Sequence, residues 1–295
     1  MELLSKPTRF RAYQLGTEGS SFSYYDGSHF TLIEARLNVT NAKSIVDELK
    51  LCNKTSIDTL HITSWDNDHC NPDELKMIIE KLKPTFIEYP GYQPDSDDGK
   101  ESRKTIESFE KSKVASPTLR KIDPTYIRAL KNSTAFAYVN VLYHPQDTYE
   151  KENDNSIIQL FRTGSFAVAS LGDVEAMQIQ NMLMNSNIFC TEVDIMILAH
   201  HGSDKSITSD AFIKKVNPSV AIASSDYDDK YGHPKPVVKN CIIKNGGYFY
   251  TTKTGDIIAK SFGDHSKTYN VTNLVKDKSS SQNFYCKRYL RSIGK

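Results

Sequence analysis

The sequence predicts an α/β fold in which two β-rich layers are covered by helices. Three observations carry this. The chain is β-rich near its start, alternates strands and helices through its middle, and returns to β-rich segments after residue 245. Its 295 residues are enough for one large domain with an ample core. Its polar turns, many holding Asp or His, fall at the ends of apolar strands, where a rigid frame meets solvent.

Residues 10–15 and 29–37 read as strands flanking a Gly/Ser-rich turn region, Gly16 to Ser28. Asn41 to Leu51 reads as a helix, and Asp58 to Ile62 as a buried strand. Asn71 fits a helix N-cap and Pro72 the first helical position. Leu75, Ile78, Ile79 and Leu82 follow at helical spacing. Pro84 stops that helix, and Thr85–Tyr89 reads as a short strand. The polar stretch 90–104 reads as a solvated loop, followed by helices near Ile106–Val114 and Pro124–Lys131.

Ala135–Tyr143 alternates as a strand does, and Ile157–Phe161 and Phe166–Leu171 read as a hairpin. Val174 to Met184 and Ser209 to Val216 read as helices. Val193–Leu198 and Val220–Ser224 read as strands. A helix over Pro236–Lys244 leads to a final hairpin, Tyr248–Thr252 with Asp256–Ser261. Composition sets residues 271–295 apart as a basic C-terminal tail beyond a domain at 1–270. Lys287, Arg288 and Arg291 there are candidate nucleic-acid or protein-partner contacts.

Hydrophobic residues make up 38% and charged residues 25%, an ordinary globular composition. A net charge of +1 gives no overall field to gather polyanions or anionic lipid, so such binding needs a local patch. Five cysteines without CxxC spacing argue against a disulfide framework and for a reducing compartment. No apolar run approaches the roughly 18 residues of a membrane span. The expected setting is cytoplasmic, with no membrane association.

Chemistry concentrates in four places. Ser64-Trp65-Asp66-Asn67-Asp68-His69 lies between a strand and a helix. Gly172-Asp173, His200-His201-Gly202-Ser203 and Tyr231-Gly232-His233-Pro234 each lie after a strand or in a loop. Strand ends on one sheet edge bring distant residues together, and carboxylates with imidazoles suit Zn²⁺ or Mn²⁺. Each item has a plainer role too. Asp66 and Asp68 suit a helix N-terminus, Gly172-Asp173 a helix start, and His233 a turn. Two adjacent imidazoles ending an apolar strand are costly unless used.

These motifs, in this order, resemble those of the metallo-β-lactamase fold, and within it the lactamase-like domain of the DNA-uptake protein ComEC. The resemblance covers roughly residues 8–262, without the ComEC membrane channel. It implies a four-layer αββα sandwich and a site for one or two divalent ions, Zn or Mn. By that resemblance Asp68, His69 and one of the pair His200/His201 hold one ion. Asp173 bridges, Asp66 serves the other ion, and Asp68 and His233 act in catalysis. His200 is taken as the ligand, with His201 and Ser64 as alternative or supporting groups. Ser64 stands where the family has a first His, Leu15–Gly19 stands for its opening Val-Gly-Gln-Gly-Asp, Glu34 stands for its Asp, and His144 is one further imidazole. The implied activity is hydrolysis of phosphodiester bonds in nucleic acid or nucleotides through metal-bound hydroxide. The alternative is a site-depleted domain acting as a sensor, scaffold or regulatory subunit.

Overall fold

The computed structural model describes residues 3–110, 117–130, 138–144, 148–228 and 230–295. Parts of the expected Ile106–Val114 helix, the Pro124–Lys131 helix and the Ala135–Tyr143 strand lie outside these residues. The side chain of His144 lies outside them as well.

Two sheets form the frame. The first takes β1 (Arg9–Ala12), β2 (Phe22–Tyr25), β3 (Phe30–Ile33), β4 (Thr59–His61), β5 (Phe86–Pro90) and β6 (Thr118–Ile122). The second takes β7 (Val141–His144), β8 (Ile158–Phe161), β9 (Ala167–Ser170), β10 (Val193–Ile197), β11 (Val220–Ala223) and β12 (Tyr248–Thr251). The chain then returns to the first sheet with β13 (Ile257–Ser261), β14 (Thr268–Asn273) and β15 (Ser280–Tyr285). The strand orders are β15-β14-β13-β1-β2-β3-β4-β5-β6 and β12-β11-β10-β9-β8-β7.

Side-chain alternation along the strands makes four layers. On β10, Ile195 and Ile197 face the other sheet, where they join Phe10, Phe22, Phe161 and Phe166 in the inner core. Met196 points the other way, toward Leu183, Phe189 and Phe212 of the covering helices. Across the first sheet, Leu32, Leu60 and Ile87 pack beneath Ile45, Leu75 and Ile106. Each of these fully buried side chains contributes about 1.5–3 kcal/mol of transfer free energy. The architecture is thus helix, sheet, sheet, helix, as expected.

Helices form where periodicity and caps agree. In α1 (Ala42–Leu51) Ile45, Glu48 and Leu49 share the buried face. Glu48 is tolerated there because Arg9 and Arg11 pair with it at 2.6 and 3.3 Å. At α2 (Pro72–Met77) the Asn71 side chain accepts from the N–H groups of Asp73 and Glu74, and Pro72 opens the helix. A π-turn over Ile78–Leu82 follows, and Lys83 at φ 47° ends it ahead of Pro84.

Four expectations are corrected. The turn region Gly16–Ser28 contains β2, a full member of the sheet between β1 and β3. The polar stretch 90–104 is not all loop, since α3 (Asp97–Glu110) begins within it. Tyr248–Thr251 and Ile257–Ser261 are no hairpin. The first runs parallel to β11 and the second antiparallel to β1, in different sheets.

The fourth correction concerns the C-terminus. The break at residue 270 falls inside β14, which pairs with β13 on one side and β15 on the other. A final helix, Lys287–Ser292, docks on the fold. Arg288 is 2% exposed and its Nε donates to Glu192 Oε2 at 2.9 Å. The Lys287 backbone N–H donates to Asp194 at 2.8 Å and its Nζ to the Val216 carbonyl. Arg291 is exposed and donates to Thr191 Oγ1 at 2.8 Å. Residues 271–295 are therefore sheet edge and buried anchor rather than a free tail, and Arg288 is closed to nucleic acid.

Candidate metal centre

Parallel pairing of β9, β10 and β11 aligns their C-terminal ends at one edge. Asp173 follows β9, His200 and His201 follow β10, and Ser224 follows β11. The turn after β4 meets them from the first sheet. Within that turn, the N–H groups of His69 and Cys70 donate to the Asp66 carbonyl at 2.8 Å, folding Asp66–Cys70 into a tight loop. Ser20 N–H donates to the Asp68 carbonyl at 2.9 Å, so the segment before β2 lies directly on this loop. Gly19 is required at that approach. It sits at φ +125°, and a Cβ there would lie 2.4 Å from the Asp68 carbonyl oxygen.

Four side chains converge. Ligand atoms of Asp68, His69, Asp173 and His201 all lie within 4.8 Å of one another. His69 Nε2 is 3.0 Å from Asp173 Oδ1, and His201 Nε2 is 2.9 Å from Asp68 Oδ2. Both nitrogens are nevertheless buried without an aligned hydrogen-bond partner. Lone pairs aimed at a shared point produce this arrangement. Two ligand atoms each about 2.1 Å from one ion stand roughly 3.0–3.4 Å apart. The donor set, two imidazoles and two carboxylates, fits a borderline or hard divalent cation.

Groups behind the ligands set their orientation. His201 Nδ1 lies 2.9 Å from the Ser224 carbonyl, an acceptor only, so the neutral ring carries its proton on Nδ1 and offers the Nε2 lone pair to an ion. His69 Nδ1 lies 3.2 Å from Glu34 Oε1. Glu34 is held in turn by the Thr63 N–H at 3.0 Å and the Thr63 hydroxyl at 2.5 Å. Glu34, His200 and His201 have left-handed φ of 70°, 48° and 53°, strain that surrounding hydrogen bonds maintain.

Charge within the cluster is mutually stabilised. Burial pushes the Asp68 carboxyl up, but His69 and His201 outweigh it and hold it well below the usual carboxylate range. Burial likewise disfavours the His201 imidazolium, yet Asp173 and Asp68 raise it to about 9. A cation in this position would take over the role of those protons.

The other expected residues lie around the cluster. His200 is outside it: Nδ1 pairs with Glu175 Oε1 at 2.8 Å, and the ring lines the adjoining cleft. His201 thus takes the place given to His200, because the left-handed turn at 200–201 sends the two rings to different partners. Asp66 is also outside. Ser64 Oγ donates to its Oδ2 at 3.0 Å and lies 3.1 Å from the Tyr92 hydroxyl. Burial, with Asp173 and Asp68 nearby, pushes the Asp66 carboxyl up. His233 is buried, its ring 5.6 Å from His200 and 6.4 Å from His201. Glu175 and Tyr92 escaped the sequence reading. The one hint of Glu175 is its place two residues after Asp173, and nothing marks Tyr92.

Similarity to known proteins agrees with this geometry. Over 216 residues the chain is 24% identical to ComE operon protein 3 of Bacillus subtilis, covering 73% of this chain and 26% of that protein. The four-layer frame and the order of its motifs resemble the metallo-β-lactamase fold and, within it, the lactamase-like domain of ComEC. A second match, competence protein ComA of Neisseria gonorrhoeae, is 29% identical over 97 residues, 32% of this chain and 14% of that one. The chain spans about a quarter of the Bacillus relative and a smaller part of the Neisseria one. No family model matches. Among solved structures, a metallo hydrolase of Ignicoccus hospitalis superposes with a TM-score of 0.49 at 12% identity, over 85% of this chain and 98% of that one. Among the described residues no helix is long and apolar enough to cross a membrane.

Proposed function

We propose that this chain is a metal-dependent hydrolase of phosphodiester bonds in nucleic acid or nucleotides. The observation that carries the reading is the cluster of Asp68, His69, Asp173 and His201, whose two buried Nε2 atoms have no aligned hydrogen bond. The substrate class rests on the motif resemblance to the lactamase-like domain of the DNA-uptake protein ComEC, alongside the similarity to ComE operon protein 3 and competence protein ComA.

Asp68, His69, Asp173 and His201 would hold one divalent ion, Zn²⁺ or Mn²⁺. Such an ion supplies Lewis acidity toward a phosphoryl oxygen and activates water near neutral pH. Glu34 and the Ser224 carbonyl fix the two imidazoles, so no reorganisation is needed at the moment of reaction. His233 flanks His200 and His201 and would serve as proton donor to a leaving oxygen or as a phosphate contact. Asp66 would attend a second ion through Oδ1, since Ser64 donates to Oδ2.

The test is direct. Protein purified without chelator is analysed for metal, then assayed with Mn²⁺ or Zn²⁺ on DNA, RNA and bis-nitrophenyl phosphate. About one ion per chain and cleavage of at least one substrate are expected. Metal-loaded protein inert on all three would defeat the proposal.

Ser64 supports a second reading. Its hydroxyl is engaged with Asp66 and Tyr92 where the resemblance expects a ligand, as in a depleted domain kept as a sensor or scaffold. If Asp68→Ala folds and keeps the cellular phenotype of the wild type, that reading replaces the first.

A further inference from the structure

A column of rings leads from the metal centre to solvent. His201 and His233 lie with centroids 6.4 Å apart and planes 10° apart. His233 and Tyr231 follow at 5.9 Å and 23°. Tyr231 is 58% exposed, and it borders the 480 Å³ cleft that Asp68, Asp173 and His200 also line. The loop carrying it is pinned at two points, where Lys235 Nζ donates to the Tyr231 carbonyl at 2.6 Å and Lys235 N–H to the Gly202 carbonyl at 3.0 Å. A large ring kept at the mouth of a polar cleft is a planar surface offered to a ligand.

Lys230 completes the feature. Its Nζ lies 4.8 Å from the Tyr231 ring centroid and 3.2 Å from Glu18 Oε2. The pair is exposed, 61% for Lys230 and 40% for Glu18, so it is weak and readily exchanged for another anion. Of the other charges there, Asp66, Asp226 and Glu18 are acidic, and Arg36 is already paired with Glu74 at 2.8 Å. Charge alone therefore gives the cleft little hold on a phosphate chain, and stacking would have to supply it.

We propose that Tyr231 and Lys230 are the specificity residues of this site: the Tyr231 ring stacks on the nucleobase flanking the scissile phosphodiester, and Lys230 leaves Glu18 to contact the adjoining phosphate. This rests on the phosphodiesterase reading above. Neither residue touches the reacting atoms, so both act on binding rather than on the chemical step.

The experiment compares wild type, Tyr231→Phe, Tyr231→Ala and Lys230→Gln, all metal-loaded. The substrates are one oligonucleotide and its counterpart with tetrahydrofuran abasic sites. Stacking is worth about 1–3 kcal/mol per base, so Tyr231→Ala raises KM roughly 5- to 150-fold on the base-bearing strand. The same variant leaves KM on the abasic strand unchanged. Tyr231→Phe keeps the plane and stays near wild type, and Lys230→Gln raises KM on both strands. Equal losses by Tyr231→Ala on both strands, or none on either, would overturn the proposal. If wild type cleaves neither strand, the phosphodiesterase reading fails by itself. Dissociation constants of the two strands for wild type and Tyr231→Ala then decide stacking: a difference confined to the base-bearing strand supports it, and equal constants overturn it.

Discussion

His201 Nδ1 lies 2.9 Å from the carbonyl oxygen of Ser224, whereas the neighbouring His200 Nδ1 lies 2.8 Å from Glu175 Oε1. One residue of chain separates an imidazole that joins the carboxylate cluster from one that stands outside it. Their left-handed backbones turn the two rings apart. The first prediction follows. His201→Ala loses bound metal, with a fall in affinity beyond the roughly 10–100-fold expected when a group behind a ligand is changed. His200→Ala retains the wild-type metal content. Elemental analysis of both variants after gel filtration checks this, and the reverse pattern would make His200 the ligand.

Glu34 acts one shell further out. Its Oε1 is 3.2 Å from His69 Nδ1, and Thr63 holds the carboxylate from N–H and hydroxyl. Glu34→Gln keeps much of the shape but loses the charge that supports His69. A fall in metal affinity of about 10–100-fold is expected, with His69 still bound to the ion. Titration against a competing chelator measures it. An unchanged affinity would show that Thr63, 3.4 Å from the same nitrogen, is sufficient.

The sequence made the layers and the motif turns legible because each rests on local rules. Asn71-Pro72 is read from capping chemistry, and Val193–Leu198 from an apolar run of strand length. Which ring of His200-His201 faces the cluster is not local. It depends on Glu175 and on the Ser224 carbonyl, which only the fold brings near. The same holds for Ser64, whose hydroxyl finds Tyr92 from the strand-end beyond β5. Residues 271–295 misled for another reason. Serine and basic side chains look like a tail, yet an edge strand tolerates polar residues on both faces, and Arg288 is buried because Glu192 neutralises it.

That neutralisation gives the third prediction. Glu192 is bound by Arg162 at 2.8 Å and by Arg288 at 2.9 Å, with all three side chains at most 3% exposed. Removing the carboxylate leaves two buried guanidinium groups facing each other. Glu192→Ala should cost about 3–5 kcal/mol of stability. Metal content of the folded fraction should be unchanged, because Glu192 precedes β10 and His201 follows it, at opposite ends of the strand. Urea unfolding with parallel metal analysis tests both halves. A loss below about 1 kcal/mol would mean that the arginines find other partners.

Asp194 supplies a pH signature far from the metal. It is fully buried and accepts hydrogen bonds from the N–H groups of Ala167 and Lys287, both at 2.8 Å. Burial pushes its carboxyl up to about 6, with those two bonds opposing the shift. An unfolded chain has this group near about 3.9. Between these values the folded protein binds the proton and the unfolded chain does not. Its contribution is therefore fully present below about pH 4 and is lost as pH rises through about 6. Two pH units correspond to roughly 3 kcal/mol. Lys287, pushed by burial down to about 8, acts in a separate and more alkaline window. Asp194→Asn cannot titrate, so wild-type stability minus variant stability should fall between pH 4 and 7 by up to about 3 kcal/mol. Urea midpoints collected for both proteins across that range measure the difference. A difference independent of pH would show that Asp194 stays ionised when buried.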